Sequence, residues 1–224
     1  FRLSYTNYNQ TGIYTNSKLD RNTVSISGTT KPNKTLDAFI NVNYLVNKAI
    51  GRPETGYGDN NPVQKMWQWS HTSDDYKDLE AYKNPDGSQR SWNRISWEDP
   101  GPNYTDNPYW SRYMNYENDR RDRVYGNAGF NLNLLSWMKF TGRFGVDYYD
   151  SRMETRTAIG SQAQSYYDND QRQNMERNIE GFLTIDKRLA NSNIGVNAIF
   201  GANRMDRLNW RTGAYTDGGL VVPE

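Results

Sequence analysis

The sequence predicts an all-β fold, an antiparallel segment of a transmembrane β-barrel with long extracellular loops, and three observations carry that prediction. Apolar and polar residues alternate with a period of two, the pattern of a β-strand, because successive side chains point to opposite faces of a sheet. The connections between these stretches are alternately short and long. The mean hydropathy is -1.01, yet 14% of the residues are aromatic, which suits a barrel with a wet interior and aromatic girdles.

The clearest alternation runs from Asp122 to Tyr149. One face of its first half is apolar or small and consists of Val124, Gly126, Ala128, Phe130, Leu132 and Leu134. After a turn at Leu135 and Ser136, the apolar face resumes with Met138, Phe140, Gly142, Phe144, Val146 and Tyr148. The opposite face carries charged and amide side chains. Strands of this length with one apolar and one polar face are typical of a barrel that faces lipid outside and water inside.

The same period predicts five further strands. They cover about 1–9, 21–30, 35–47, 174–188 and 192–211. Short turns are predicted at 31–34, 135–136 and 189–191, and longer loops at about 10–20, 48–118, 150–173 and 212–224. Outer-membrane barrels have short periplasmic turns and long extracellular loops, so we expect the longer set to be extracellular.

Seven strands do not close a bacterial barrel, which has an even number of strands, and an open sheet would leave two bare edges that hydrocarbon does not tolerate. Phe1 to Tyr5 already have the pattern of a strand interior, and no signal peptide precedes them. We therefore expect the chain, residues 1–224, to be part of one barrel domain whose remaining strands belong to a larger polypeptide.

The composition also excludes several classes of function. No run approaches the roughly 20 apolar residues of a membrane helix. The 27 basic residues are balanced by 26 acidic ones, so the charge gives no reason to expect nucleic-acid binding. With His71 as the one His and no Cys, neither a metal cluster of several His nor a thiolate metal site can form within these residues. We expect neither an enzyme nor a cofactor, although oxygen-bearing loops at 59–60, 74–75 and 168–170 leave calcium open.

Three separated motifs resemble the SusC-like (RagA-like) family of TonB-dependent outer-membrane transporters of Bacteroidetes. They are the opening segment FRLSYTNYNQTGIYTNSKLDRNTVSISGTTKPNKTLDAFINVNYL at 1–45, DNPYW at 106–110, and RVYGNAGFNLNLLSWMKFTGRFGVDYY at 123–149. The combination is specific because the motifs follow one another in the family's order.

That resemblance implies a 22-stranded barrel with an N-terminal plug, of which this chain would form about seven strands without the plug. It implies a multi-pass protein of the outer membrane that contacts lipid and a SusD-like surface lipoprotein. It also implies the import of oligosaccharides or oligopeptides, with energy from TonB passed through parts that lie outside this chain.

Ligand and partner contacts are expected in the long loop. Its aromatic candidates are Trp67, Trp69, Trp92, Trp97, Tyr109 and Trp110, since aromatic rings bind sugar faces and anchor protein interfaces. The alternative is that these rings pack the loop against itself. Asn-Pro is also ordinary turn chemistry, which favours a structural role for the DNPYW segment.

A second set of candidates is expected to face the barrel lumen. It consists of Arg123, Asn127, Asn131, Lys139, Arg143 and Asp147. These side chains would contact the plug or the solute; the alternative is a solvated face with mutual ion pairs. Lys139 and Arg143 share a face with Thr141, where they could pair with acids on neighbouring strands.

Two other functions remain open at this stage. A soluble or surface-anchored β-rich carbohydrate-binding module would explain the Trp and Tyr content, but it predicts two packed sheets rather than long strands with alternating connections. A general porin without plug or energy coupling has the same strand pattern as a transporter, so only the family motifs separate the two.

Overall fold

The computed structural model describes residues 1–189 and 193–222, and its main element is one seven-stranded sheet. The strands follow chain order, and each pairs antiparallel with the next. Their bounds are β1 Arg2–Thr11, β2 Lys18–Thr30, β3 Leu36–Ile50, β4 Tyr116–Leu135, β5 Met138–Thr157, β6 Tyr166–Arg188 and β7 Gly195–Tyr215. The predicted fold class, an open antiparallel sheet of the kind found in a barrel segment, is confirmed.

The strands extend beyond most of their predicted ends. Because β5 continues to Thr157 and β6 begins at Tyr166, the connection expected over 150–173 is reduced to 158–165. The placement of 168–170 in a loop is therefore wrong, since those residues lie in β6. The added strand ends carry polar residues on both faces, which removes the apolar period while leaving the backbone ladder intact. Part of the turn predicted at 189–191 lies outside the described residues.

The strand register separates the side chains into an apolar face and a polar face. One row of cross-strand partners on the apolar face runs through Leu36, Leu132, Phe140, Leu183 and Phe200. A row of the polar face runs through Ser25, Asn43, Tyr125, Asp147, Glu176 and Arg207. The alternation read in single strands thus becomes a property of the whole sheet, because neighbouring strands are in matching register.

The apolar face has a defined height and a polar upper margin. On β4 it extends from Val124 to Leu134, which is roughly 34 Å along the strand at about 3.4 Å per residue. Beyond Val124 the same face becomes charged at Asp122, whose carboxylate accepts a hydrogen bond from the Tyr44 hydroxyl at 3.0 Å. The Tyr5 hydroxyl donates to Asn22 at 2.5 Å in the same zone. Tyrosines therefore mark the boundary between apolar and polar surface.

Phenylalanine rings cover glycines on neighbouring strands. A Cβ on Gly142 would lie 2.7 Å from the ring of Phe130, its cross-strand partner. The same arrangement joins Phe39 with Gly129 and Phe182 with Gly201 on the polar face. Each ring covers backbone that a glycine leaves bare, which couples these adjacent strands through side-chain packing as well as through the ladder.

The connections divide between the two ends of the sheet. One end of the sheet carries the segment after β7 and three loops, 12–17, 51–115 and 158–165. The opposite end of the sheet carries the connections after β2, β4 and β6. The long loop contains helix α1 (Pro62–Trp69), a 3₁₀ turn (Asp78–Glu80) and helix α2 (Pro108–Tyr113). Across residues 1–189 and 193–222, no helix is both long enough and apolar enough to cross a membrane.

Candidate functional site

The long loop folds around buried polar side chains that we call the loop cluster: Gln89, Asp106, Asn107, Trp110 and Asn115. All five are buried. Three of them belong to the DNPYW segment, and α2 begins within that segment because Asn107 caps the helix and Pro108 occupies its first turn. A loop this long, with few buried apolar residues besides Leu79 and Trp110, needs such partners for its backbone groups.

Asn107 holds three parts of the loop together. Its exposed fraction is 0%, and its Nδ2 donates to the carbonyls of Leu79 and Arg90 at 3.1 and 3.0 Å. Its Oδ1 accepts the Tyr109 N–H at 2.9 Å, which caps α2, and its own N–H donates to Gln89 Oε1 at 2.8 Å. One amide therefore satisfies backbone groups from distant positions of the loop.

Asp106 joins the long loop to loop 158–165. Its Oδ1 accepts hydrogen bonds from Gln89 Nε2 at 2.8 Å and from the Gln162 N–H at 2.7 Å. Burial raises the pKa of the Asp106 carboxyl above its usual value, although these hydrogen bonds act in the opposite direction. Burial in the cluster therefore disfavours the charged form of the Asp106 carboxyl.

Trp110 and Asn115 complete this connection. The Trp110 Nε1 donates to Ser161 Oγ at 2.8 Å, and the ring is 1% exposed. Asn115 Oδ1 accepts the Ala158 N–H at 2.8 Å and the Ser161 hydroxyl at 3.0 Å. The Trp110 ring also packs edge-on against Tyr82 at a centroid distance of 6.4 Å. Trp110 therefore packs the long loop against loop 158–165 from the inside, and its buried ring is not accessible to a ligand.

Arg112 anchors the other side of the long loop. Its guanidinium donates to the carbonyls of Thr15 at 3.2 Å and Asn16 at 3.3 Å in loop 12–17, and to the Gly51 carbonyl. The cluster and Arg112 together bind three loops at one end of the sheet.

The other predicted aromatic residues have different environments. Trp67 and Trp97 are 86% and 87% exposed, and Trp97 lies in the turn closed by the Ser96 N–H and the Asp99 carbonyl. Trp69 stacks on Tyr104 at 4.9 Å, and Trp92 donates to the Asp106 carbonyl at 3.3 Å. Only Trp67 and Trp97 among the six therefore present most of their ring to a binding partner.

Tyr109 belongs to a pocket that the sequence did not reveal. The pocket has a volume of about 200 Å³ and is lined by Ile13, Tyr14, Thr15, Pro62, Met66, Tyr76, Pro108, Tyr109 and Arg112. Its walls come from loop 12–17 and the long loop. The available signal was a tyrosine in the short loop, Tyr14, and tyrosines in the long loop, Tyr76 and Tyr109, but Arg112 is the residue that joins the two loops.

The predicted lumen-facing residues share the polar face, and most form pairs. Arg123 Nε donates to Asp147 Oδ1 at 2.8 Å, and its second nitrogen contacts Oδ2. Thr141 donates to Asn131 at 2.8 Å. Arg143 lies 3.4 Å from Glu180 on β6, which confirms its expected pairing with an acid on a neighbouring strand. Asn127 and Lys139 are on the same face, opposite Gly145 and Asn133.

Further polar-face residues on β6 and β7 were not singled out from the sequence. Glu176 pairs with Arg207 at 2.6 Å, and Asn203 donates to Asn178 at 2.6 Å. With the predicted set they form a wet surface, and a depression of about 340 Å³ lies beside Asn127, Arg143, Asp147, Glu176, Asn178 and Glu180. Within the described ranges, no three acidic or His side chains are grouped so that they could hold a metal ion.

Two solved structures are similar to this chain despite low sequence identity. The RagAB peptide importer in the closed-closed state matches 97% of the chain, with a TM-score of 0.66 and 12% identity. The RagAB peptide transporter matches 91%, with a TM-score of 0.63 and 12% identity. The chain spans only 23% and 22% of those two chains. No family model and no curated protein matches the sequence. At this identity the similarity establishes the fold alone, which this chain shares with part of each of those two chains.

Proposed function

We propose that the chain is a wall segment of an outer-membrane, TonB-dependent importer that takes up oligopeptides or oligosaccharides together with a SusD-like surface lipoprotein. The observation that carries the proposal is the apolar face, which extends over β4 for about 34 Å along the strand. At a strand tilt of about 40°, this length corresponds to a height of roughly 26 Å along the membrane normal, which is the height of the apolar band of outer-membrane barrels.

The polar face supports a water-filled interior. Its ion pairs join strands at several levels, as between Arg143 and Glu180 or Arg207 and Glu176. Buried charges are expensive in a dry environment, whereas the lumen of a barrel provides water. We assign Arg123, Asn127, Asn131, Lys139, Arg143 and Asp147 to this lumen.

The loops suit contacts with a partner and a solute outside the membrane. Trp67 and Trp97 are exposed on a loop that is held in place by its buried cluster. Rigidly presented aromatic rings bind with little loss of conformational entropy, which favours these two residues as contacts for the lipoprotein or the nutrient. The substrate class named for the RagAB structures, peptides, makes an oligopeptide the first solute to test.

The alternative is a carbohydrate-binding module. Such a module would bury its apolar face against a second sheet, yet the described residues form one sheet whose apolar face includes exposed side chains such as Phe144 and Phe200. Exposed Trp rings fit either function. The uncovered apolar face favours the membrane protein.

Site-directed labelling tests the proposed orientation. The 224 residues contain no Cys, so Trp97→Cys or Phe144→Cys, introduced singly into the full polypeptide in intact cells, places one thiol in this part of the chain. We expect a membrane-impermeant maleimide to label Trp97→Cys and to leave Phe144→Cys unmodified, while a lipid-soluble reagent labels Phe144→Cys. Labelling of Phe144→Cys by the impermeant reagent would contradict a lipid-facing surface.

A second experiment tests the larger assembly and the transport. The native polypeptide, extracted from outer membranes with detergent, should have a mass several times 26.0 kDa and should copurify with a lipoprotein. Uptake of labelled oligopeptides and oligosaccharides should require TonB. A polypeptide near 26.0 kDa in a detergent-free soluble fraction would instead support the binding module.

A further inference from the structure

The pocket beside Tyr109 lies between loop 12–17 and the two helices of the long loop. Tyr14 lines it from the short loop, Met66 from α1 and Pro108 from α2. Its volume of about 200 Å³ is smaller than the roughly 300–1,000 Å³ that holds a whole small-molecule ligand. The pocket, which we call the Tyr109 pocket, therefore has room for one side chain rather than for a complete solute.

The walls of the Tyr109 pocket are mostly apolar. Besides tyrosine rings they include Pro62, Met66 and Pro108. Such walls favour an apolar occupant, because removing apolar surface from water is favourable. Met66, Tyr76 and Tyr109 are half-buried rather than buried, so the long loop leaves these side chains accessible to a ligand.

One wall of the pocket carries a buried positive charge. Arg112, in the last turn of α2, lines the pocket and is only 4% exposed. Its Nε and Nη2 donate to the carbonyls of loop 12–17 and of Gly51 described above. Its third nitrogen, Nη1, has no hydrogen-bond partner among residues 1–189 and 193–222. The N–H groups of Nη1 are therefore left for a ligand.

The charge of Arg112 also lacks a contacting counter-ion. In the part of the chain that the structure describes, no carboxylate forms an ion pair with it, and Glu117 acts on its charge without such a contact. Burial lowers the pKa of Arg112, because the charged form is desolvated. A buried charge without an ion partner is costly, so the pocket favours an anionic group and disfavours a cationic one.

We infer that the Tyr109 pocket binds the C-terminal residue of an oligopeptide, with an apolar side chain inside the pocket and the terminal carboxylate on Arg112 Nη1. The inference rests on the proposed function, because it names the part of a peptide solute that these loops recognise. Hydrogen bonds between a guanidinium and a carboxylate are about twice as strong as neutral ones. The last residue of a peptide carries an apolar side chain and a carboxylate on one Cα, whereas a neutral oligosaccharide offers neither.

The first test varies the peptide, because Arg112 also anchors two loops and its substitution would disturb them. The full-length protein, purified in detergent with its remaining strands present, is titrated with a fluorescent pentapeptide that ends in Phe. We expect the C-terminal amide to bind about tenfold more weakly than the free acid, which corresponds to about 1.4 kcal/mol. A free acid that ends in Ser should also bind about tenfold more weakly, because it buries little apolar surface. A peptide ending in Asp-Phe-amide keeps the negative charge but not the terminal carboxylate, and it should bind like the Phe amide.

Photocrosslinking to the wild-type protein locates the bound C-terminus. A pentapeptide acid with a photoreactive leucine as its last residue should label segments 13–15, 62–66 or 108–112, which mass spectrometry of the digested protein identifies. The same photoreactive residue at the first position of the peptide should label other segments. This measurement needs no variant, so its result does not depend on the folding of a substituted loop.

Two variants of α1 form a matched pair. Met66→Trp should fill the pocket and weaken binding of the Phe acid about tenfold. Gln68→Trp adds the same ring at an exposed position of the same helix outside the pocket, and it should leave binding unchanged.

The outcomes distinguish this inference from the proposed function. Equal binding of the Phe acid and its amide, or crosslinks only outside the three segments, overturns the C-terminus site and leaves the importer standing. Uptake of oligosaccharides but not of peptides also overturns this inference, while the barrel and its transport role remain. A protein that is soluble without detergent and supports no uptake overturns both.

Discussion

The sheet and the long loop are stabilised by opposite means. Every strand of the sheet is joined to its neighbour by a continuous backbone ladder, so its side chains are free to alternate between an apolar and a polar face. In the loop, buried side chains such as Asn107 and Asp106 bind the backbone instead. A substitution in the sheet should therefore act through the face it occupies, and one in the loop through the particular bonds it removes.

The largest effect is expected at Trp110. Trp110→Ala should destabilise the loop cluster by about 4 kcal/mol, because a buried Trp leaves a cavity and its hydrogen bond to Ser161 is lost. Hydrogen exchange and limited proteolysis of the long loop measure this change. Trp67→Ala is the matched control, since Trp67 is 86% exposed. Equal loss of protection in both variants would show that the cluster does not hold the loop.

The next effect separates the two faces of one strand. Phe144→Arg should destabilise the protein by about 3 kcal/mol in lipid vesicles, because it places a charge among lipid-facing residues. Thr141→Arg, three residues away on the polar face, should cost much less because that face is solvated. Urea unfolding in vesicles measures both variants. Similar losses of unfolding free energy in the two variants would contradict the assignment of Phe144 to the apolar face and Thr141 to the polar face. They would also remove the main difference between the sheet and the loop.

The sheet could be predicted from the sequence wherever one face is continuously apolar. The row from Val124 to Leu134 has the period of two, and β4 and β5 form a hairpin around the predicted turn. At Glu154 and Asp168 the strands continue without an apolar row, so the hydropathy pattern does not predict these strand ends. The backbone ladder continues there because its hydrogen bonds do not require apolar side chains.

The loop was less predictable because its bonds join positions far apart in sequence. The Asn-Pro pairs at 61–62 and 107–108 mark helix starts, whereas the sequence alone predicts a turn with a structural role for the second pair. Nothing local distinguishes buried Trp110 from exposed Trp97. The partner of Trp110 is Ser161, which is 51 residues away in the sequence and lies beyond β4 and β5.

The pH dependence of the loop tests the buried carboxyl. Burial raises the pKa of Asp106, so the stabilisation from its protonated form is complete below the ordinary carboxyl pKa and is lost as the pH rises through the raised value. Protection of the long loop should therefore be greater at weakly acidic than at neutral pH. Hydrogen exchange, corrected for its intrinsic pH dependence, measures this difference.

Asp106→Asn isolates that contribution from other titrating groups. The amide keeps an oxygen for Gln89 and the Gln162 N–H but has no charge to desolvate, so the difference between acidic and neutral protection should shrink. A variant with the same pH dependence as the wild-type protein would assign the effect to another carboxyl, such as Glu117, whose pKa burial also raises.

The smallest effect is expected for the ion pair of Arg123 and Asp147 on the polar face. Their side chains are 39% and 36% exposed, and pairs in contact with water contribute about 0.5 kcal/mol. A double-mutant cycle with Arg123→Gln and Asp147→Asn, measured by urea unfolding of the full-length protein in vesicles, gives the coupling. A coupling above about 2 kcal/mol would mean that water is excluded from the pair, so that another part of the polypeptide covers this face. A small coupling would instead show that the polar face is solvated, and its charges, unlike the buried groups of the loop, could then be exchanged with little loss of stability.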